Sequence, residues 1–149
     1  MIITIDANIL VAILSDKAFA YGFKQFSHSN RVEEILIPTP AMCEFLAHDH
    51  TERFSFFQKF KRQARIISFD EKAAYLTAKL GERYYQNKLD IDRQKVKVDL
   101  QILGIALANQ SLFMLTKDSD FDKYLERLKI KEIGIKTVAD LYIKDDLFD

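Results

Sequence analysis

The chain has 149 residues, of which 48% are hydrophobic and 30% charged, a balance typical of a single soluble globular domain. Four glycines and two prolines are too few for a collagen-like or low-complexity chain, and they argue against an all-β fold, which needs frequent turn residues. The 22 basic and 22 acidic residues cancel, so any binding of nucleic acid must come from local patches of charge.

Cysteine content and hydropathy indicate the compartment. The one cysteine, Cys43, excludes an intramolecular disulfide and a cysteine-rich zinc site, and a single thiol suits a reducing environment. Apolar runs are much shorter than the roughly 18 residues of a membrane span. The first six residues, MIITID, lack the basic region and long apolar stretch of a secretory signal. We therefore expect a cytoplasmic protein with no membrane partner.

The first half of the chain alternates between short apolar segments and amphipathic segments. Ile2, Ile3 and Ile5 are β-branched and end abruptly at Asp6, a pattern that predicts a short buried strand. A proline is tolerated in the first turn of a helix, so Pro40 can begin one. The elements predicted next are helices over about 8–14 and 19–29, a strand over 34–37, a helix from Pro40, a helix over 52–62 and a strand at 66–67.

The second half continues this alternation. Asp70 can cap a helix in which apolar residues recur at about four-residue spacing as far as Tyr84. The polar stretch 87–96 predicts a loop. Residues 98–109 are apolar around almost the whole circumference, which predicts a buried helix that Asp99 opens. The remaining predicted elements are a strand over 112–115, a helix over 121–128, an edge strand over 130–135, a helix over 138–143 and an acidic tail from 145.

Strands separated by helices predict one α/β domain over residues 1–149, with a central parallel sheet of about five strands and helices on both faces. No internal repeat and no domain boundary interrupts it. Ligands of such sheets bind beyond the carboxyl ends of the strands. The residues at those ends are therefore the candidates for function.

Acidic residues follow the predicted strands. Asp6 ends the first strand, Glu44 lies on the helix after the second, Asp99 opens the buried helix, and Asp118 and Asp120 follow the fourth strand. Carboxylates held close together repel one another, and a cation relieves that repulsion. Oxygen ligands without cysteine or histidine suit Mg²⁺ or Mn²⁺. In proteins Mg²⁺ is commonly coordinated by carboxylates together with phosphate oxygens of the substrate. The pattern therefore favours phosphoester chemistry.

Each acid also has a simpler interpretation. Asp6 and Asp118 are suited to cap helices, and Glu44 to a solvated helix face. A helix dipole could stabilise Asp99 as a cap. A simple structural role for all four acids at one edge of a sheet is less probable than such a role for any one of them. This favours a single site that the four acids form together.

Two segments of the first half resemble motifs of the PIN-domain nucleases, in particular the small VapC-type toxins. Residues 3–10, ITIDANIL, resemble the opening motif, with Asp6 as its metal carboxylate and Asn8 as the polar partner of that acid. Residues 42–45, MCEF, resemble the second motif, with Glu44 as its acid, although Met and Cys stand where small hydroxyl residues are common.

Two segments of the second half complete the resemblance, which covers essentially the whole chain in order. Asp99 within VDLQI resembles the third motif, although Leu100 and Gln101 follow it where small residues are common. Residues 115–121, LTKDSDF, resemble the fourth motif, whose acid is either Asp118 or Asp120.

The resemblance implies a three-layer α/β/α fold and an endoribonuclease that depends on Mg²⁺, with Mn²⁺ as a substitute. It implies that Asp6, Glu44, Asp99 and either Asp118 or Asp120 hold one or two ions. Asn8 and Thr116 would orient these carboxylates. Many members of the family are toxins held inactive by a co-encoded antitoxin, and many are homodimers, so both partners are expected here beside the RNA substrate.

A nuclease must also hold a phosphate chain. Arg93, Lys95 and Lys97 lie in the predicted loop that leads into Asp99, and Lys117 lies beside the fourth motif, so these are the candidates for contact with RNA. The basic stretch 59–65 is a second candidate, although a solvated face explains it equally simply.

Two other functions remain open at this point. A haloacid-dehalogenase-like phosphatase also begins with a strand and an aspartate, but it needs a second aspartate where this chain has Asn8. A PIN-like module that no longer cleaves, and that binds RNA or docks on a protein, is the alternative from another class. The stretch from His48 to His50 predicts a surface turn rather than a metal site.

Overall fold

The computed structural model describes residues 1–48 and 50–136, and a sheet of five parallel strands forms its centre. The strands are β1 (Ile2–Ile5), β2 (Glu34–Pro38), β3 (Arg65–Ile67), β4 (Phe113–Leu115) and β5 (Gly134–Lys136). Their order across the sheet is β3-β2-β1-β4-β5, and every neighbouring pair is parallel. Because β1 is central and covered on both faces, its Ile3 and Ile5 are fully buried. The predicted number of strands is confirmed.

Seven α-helices surround the sheet in the described part of the chain. They are α1 (Ala7–Ser15), α2 (Lys17–Ser29), α3 (Thr39–Leu46), α4 (His50–Phe60), α5 (Glu71–Gln86), α6 (Arg93–Ala108) and α7 (Asp120–Arg127). Carboxylates of Asp16, Asp70 and Asp92 accept backbone N–H groups at the starts of α2, α5 and α6. Pro40 stands in the first turn of α3, as predicted.

Alternate side chains of β2 enter different parts of the core, and this shows the three layers. Ile35 and Ile37 belong to the larger hydrophobic cluster, which includes the phenylalanines of α2 and α4. Leu36 points the other way, into a smaller cluster with Ile67, Ala73, Ile105 and Ala108. Helices therefore cover both faces of the sheet, and the predicted α/β/α architecture is confirmed. No helix among the described residues has the length and apolar character needed to cross a membrane.

The predicted loop over 87–96 is wrong in its last four residues. Helix α6 begins at Arg93, because Asp92 Oδ2 accepts the backbone N–H groups of Gln94 and Lys95. The polar first turn was mistaken for a loop, although Val96 within it is almost fully buried. As a consequence Asp99 lies inside the helix, in its second turn, and does not open it.

The last predicted strand is also displaced. Only residues 134–135 of the predicted segment 130–135 lie in β5, which is an edge strand as expected. Ile130 instead closes the end of α7, where its N–H donates to Leu125 O at 2.9 Å, and Lys129 adopts a positive φ of 55°. The predicted helix over 138–143 and the acidic tail lie outside the described residues, as does Asp49 of the predicted histidine turn.

Helices α5 and α6 approach each other very closely at Gly104. A Cβ atom added to Gly104 would lie 1.9 Å from Thr77 Oγ1 and 3.0 Å from Ala73 O. Thr77 Oγ1 is itself engaged, because it donates to Leu100 O at 3.3 Å. The absent side chain therefore lets the two helices pack at this distance.

Replacement of Gly104 tests this contact. We expect Gly104→Ala to lower the free energy of unfolding by about 1–3 kcal/mol, because the new methyl group overpacks the interface. The matched control is Gly81→Ala in α5, where an added Cβ meets nothing within 4 Å. That change should raise stability by up to about 1 kcal/mol through helix propensity. Urea denaturation measures both, and a Gly104→Ala protein as stable as wild type would contradict the proposed contact.

Candidate active site

Asp6 lies where β1 ends, and three groups hold its carboxylate. Oδ1 accepts the N–H of Ala7 at 2.8 Å, so Asp6 does cap α1. Oδ2 accepts hydrogen bonds from Asn8 Nδ2 at 3.2 Å and from Thr116 Oγ1 at 3.0 Å. The side chain is only 6% exposed, yet it lines an open cleft. The capping role and a place in a site therefore coexist.

Asn8 and Thr116 tie the segment after β1 to the segment after β4. Asn8 Nδ2 also donates to Thr116 Oγ1 at 3.2 Å, and Asn8 Oδ1 accepts the N–H of Lys117 at 3.0 Å. Thr116 Oγ1 accepts the N–H of Asp118 at 3.0 Å. Both residues therefore contact Asp6, as positioning residues would, and they link it to the segment that carries Asp118.

Opposite Asp6, one ammonium group contacts three carboxylates. Nζ of Lys95 lies 2.8 Å from Asp99 Oδ2, 2.5 Å from Asp118 Oδ2 and 2.9 Å from Asp120 Oδ2. Lys95 is a candidate from the sequence for contact with RNA, and in the structure its ammonium is directed to these acids. The spacing of four residues between Lys95 and Asp99 on one helix was a signal for this ion pair.

Tyr124 is a member of the site that the sequence did not reveal. Its hydroxyl donates to Asp99 Oδ2 at 2.6 Å, and the side chain is fully buried on α7. Nothing in the sequence distinguished Tyr124 from an ordinary core aromatic. Its contact fixes the orientation of Asp99 from the side opposite to solvent.

The turn before α7 holds the last two acids together. Oδ1 of Asp118 accepts the N–H of Asp120 at 2.9 Å, which leaves Oδ2 directed to Lys95. The capping residue of α7 is Ser119, whose side chain makes no capping bond, so Asp118 supports the helix from the preceding position. Both acids therefore contact Lys95, and both remain candidates for the fourth acid of the site.

Glu44 completes the acidic lining. It is exposed on α3, and among the described residues it makes no hydrogen bond or ion pair. It lines a cleft of about 740 Å³ at the carboxyl ends of the strands, together with Asp6, Asn8, Lys95, Asp99 and Asp118. The expectation that separated acids meet at one edge of the sheet is thus met.

Burial and mutual repulsion leave this cleft with unbalanced negative charge. Burial raises the pKa of Asp6 to about 6, against the hydrogen bonds from Ala7 and Thr116 that lower it. Burial also raises the pKa of Asp99, although the hydrogen bonds from Lys95 and Tyr124 act in the other direction. The hydrogen bond from Lys95 lowers the pKa of Asp120. The ammonium group of Lys95, together with that of Lys123 at 3.3 Å from Asp120 Oδ1, thus compensates part of the charge of the acids.

The donor set fits a divalent cation in its chemistry. All candidate ligands are carboxylates, which Mg²⁺ and Mn²⁺ prefer, and three of them already hold a cation in the form of the Lys95 ammonium. Within residues 1–48 and 50–136, however, no three acidic, histidine or cysteine side chains converge closely enough to form a metal-binding group. The carboxylates are thus gathered around the ammonium.

The basic residues predicted to contact RNA are placed differently from one another. Arg93, Lys97 and Lys117 are exposed. Lys97 shares α6 with Asp99, and Lys117 follows β4, while Arg93 lines a separate hollow beside Tyr84. In the basic stretch 59–65, Arg65 forms an ion pair with Glu34 at 3.0 Å, at the amino end of β2. That end of the sheet is opposite to the acids.

Comparisons with known proteins agree with this architecture. The profile of the PIN domain family matches residues 3–126. In structure the chain is similar to VapBC2 from Rickettsia felis bound to a DNA fragment from their promoter, with a TM-score of 0.70, 20% identity and coverage of 92% of this chain and 98% of the other. A comparison with curated protein sequences gives no match.

Two further solved structures share the fold. They are DNA-bound VapBC from Salmonella typhimurium, with a TM-score of 0.67, 15% identity and coverage of 93% and 98%, and VapBC-1 from nontypeable Haemophilus influenzae, with a TM-score of 0.67, 13% identity and coverage of 93% and 99%. At these identities the likeness establishes the fold, and the family match rests on the sequence profile.

The raised pKa of Asp6 predicts a dependence of stability on pH. Between pH 4 and pH 6 the folded protein binds a proton that the unfolded chain releases, so the free energy of unfolding falls as the pH rises through this window. Asp6→Asn removes the buried charge. In chelated, metal-free buffer at pH 7.5 we expect this variant to be more stable than wild type by up to about 3 kcal/mol.

The difference between Asp6→Asn and wild type should shrink towards pH 4, because Asp6 is then protonated in the folded state and the unfolded chain begins to bind the same proton. Chemical denaturation between pH 4 and pH 8 measures it. Asp90→Asn, an exposed change between α5 and α6, is the control and should leave stability nearly unchanged. A wild type that is more stable than Asp6→Asn at pH 7.5 would contradict the assignment.

Proposed function

Because the chain belongs to the PIN domain family, we propose that it is a VapC-type endoribonuclease that hydrolyses RNA phosphodiester bonds with the help of Mg²⁺. The observation that carries this proposal is the acidic cleft at the carboxyl ends of the strands. Asp6, Glu44, Asp99 and Asp118 reach it from four separate parts of the chain. A site so rich in carboxylates favours the binding of a cation, which a phosphate of the substrate can then coordinate as well.

The roles of the residues follow from their contacts. Asp6, Glu44, Asp99 and either Asp118 or Asp120 would hold Mg²⁺, or Mn²⁺ in its place. When bound, the cation supplies positive charge that stabilises the phosphodiester transition state and lowers the pKa of water.

Other side chains keep these acids in position or reach towards the substrate. Thr116 and Asn8 orient Asp6 through its Oδ2 atom, and Tyr124 orients Asp99. Lys97, Lys117 and Arg93 are exposed, and we propose that they contact the phosphate chain of the RNA.

We further propose a protein partner. Solved structures that share this fold include VapBC assemblies, and the motifs of this chain resemble VapC-type toxins. This supports an antitoxin encoded beside this chain, in the cytoplasm. A homodimer is proposed on the family resemblance alone. Co-expression with the neighbouring short reading frame, followed by copurification, tests the antitoxin proposal.

A second candidate function has one observation in its favour. The Lys95 ammonium already satisfies three of the acids, as it would in a PIN-like module that binds RNA or protein without cleaving. The phosphatase alternative loses its support, because the PIN domain profile spans residues 3–126. Metal dependence therefore separates the two remaining candidates.

The decisive experiment titrates Mg²⁺ and Mn²⁺ into the purified protein and follows cleavage of a mixed pool of structured RNA. We expect cleavage that requires the ion, with a rate at least about 100-fold lower in Asp99→Asn, because that change removes one carboxylate from the site. Asp122→Asn on α7 is the matched control. It removes the same charge from an exposed side chain and should cleave like wild type.

The opposite outcome is equally specific. If the ions neither stabilise the protein nor support cleavage, and Asp99→Asn is as stable as wild type, the acids do not form a metal site and the non-cleaving module takes first place. Cleavage that is equal in wild type and in Asp99→Asn would point to a contaminating nuclease.

A further inference from the structure

The ammonium of Lys95 uses the oxygen atoms that a metal ion would need. Each of its three ion pairs is made to an Oδ2 atom, those of Asp99, Asp118 and Asp120. These acids come from α6, from the turn before α7 and from the first residue of α7, and they are the acids of the third and fourth motifs. An ammonium and a divalent cation cannot share these atoms, because two positive charges at such short separation repel strongly.

The side chain of Lys95 is able to leave. It is 39% exposed and lines the open cleft, so it can exchange its ion pairs for water without opening the core. Tyr124 differs in this respect, because it is fully buried and carries no charge, and it can keep its hydrogen bond to Asp99 when a cation arrives. Asp99 is therefore held by one removable cation and one permanent neutral donor, while the exposed Lys123 adds a second ammonium at Asp120 alone.

We propose that Lys95 is a built-in competitor of the divalent cation: its ammonium occupies the carboxylates of Asp99, Asp118 and Asp120 in the metal-free protein and is displaced when the ion binds. This inference rests on the proposed function, since it concerns the metal site of that function. It assigns to Lys95 the role of controlling how tightly the site binds the metal ion, and this role is separate from contact with RNA.

Two consequences follow from such competition. The acids stay gathered in the absence of metal, because the ammonium offsets their repulsion. The apparent affinity for the ion is lowered, because the ion binds only the fraction of molecules whose acids are free of Lys95. Lys95 thus makes occupancy of the site depend on the concentration of divalent cation.

Lys95→Met tests the proposal, since it keeps the length of the side chain and removes its charge. Isothermal titration with MnCl₂ should show that Lys95→Met binds Mn²⁺ about tenfold more tightly than wild type does. This factor corresponds to the combined free energy of two or three partly exposed ion pairs, which wild type must break when the ion binds. Lys97→Met is the matched control, because it removes the same charge from an exposed position of the same helix. Its affinity for Mn²⁺ should stay within about twofold of wild type, since salt screens the more distant charge.

Lys95→Arg provides a second variant. It retains a cation at the same place, so its affinity for Mn²⁺ should be no higher than that of wild type. Metal-free thermal melts show whether each variant is folded. We expect Lys95→Met to melt below wild type without metal and to gain more than wild type when MnCl₂ is added.

A direct readout follows the ammonium in wild type. In lysine-selective ¹H–¹⁵N spectra, the Lys95 signal is identified by its loss in Lys95→Met, and MgCl₂ should move it to the position of solvent-exposed lysines. A signal that stays in place while Mg²⁺ binds would overturn the proposal, and so would equal affinities of wild type and Lys95→Met for Mn²⁺. In both cases the metal site survives. Absence of Mn²⁺ binding in wild type and in Lys95→Met alike would overturn the metal-dependent function as well.

Discussion

Repulsion among carboxylates is the constraint on which this site depends. Asp6 and Asp99 are both nearly buried, and the pKa of each is raised because burial disfavours the charged form. Each is then held by donors that stabilise it: Thr116 and Asn8 on Asp6, and Lys95 and Tyr124 on Asp99. The fold therefore brings several carboxylates together, and the neighbouring donors offset only part of their negative charge. The charge that remains would favour the binding of a cation.

The parallel sheet brings these groups together because all its strands end at the same edge. Asp6 follows β1 and Thr116 follows β4, its neighbour in the sheet, so two residues 110 positions apart meet at 3.0 Å. Helix α6 crosses the same end and delivers Asp99 and Lys95 on one face. The close contact with α5 at Gly104 holds α6 in place. The packing of the core and the placement of the acids on α6 therefore depend on each other.

The proposed nuclease and the competition by Lys95 are two consequences of one charge balance. Five acids share two ammonium groups, those of Lys95 and Lys123, so the site carries excess negative charge that would attract a divalent ion. The carboxylates of Asp99, Asp118 and Asp120 converge on the ammonium of Lys95. Binding of the ion would exchange one cation for another, with Tyr124 and Thr116 holding Asp99 and Asp6 throughout.

The sequence by itself determined the architecture and most of the acids. Short apolar runs such as the one that ends at Asp6 alternate with helices, and this pattern was sufficient for the parallel sheet and its buried helix, because both depend on local periodicity. The acids were named by their positions after the strands and by the resemblance of their motifs to those of the PIN domain family. Charge at the surface was less informative: the polar start of α6 was taken for a loop, since only the cap by Asp92 marks it as a helix.

Only the tertiary structure decided which groups touch. Lys95 meets Asp118 across 23 residues of sequence, and the Tyr124 hydroxyl meets Asp99 across 25, and neither contact leaves a pattern in composition or spacing. Such contacts depend on the distance and angle at which α6 and α7 pack, and that geometry is a property of the whole core. For this reason the sequence could name the acids, while the cation that they hold appeared only in the folded protein.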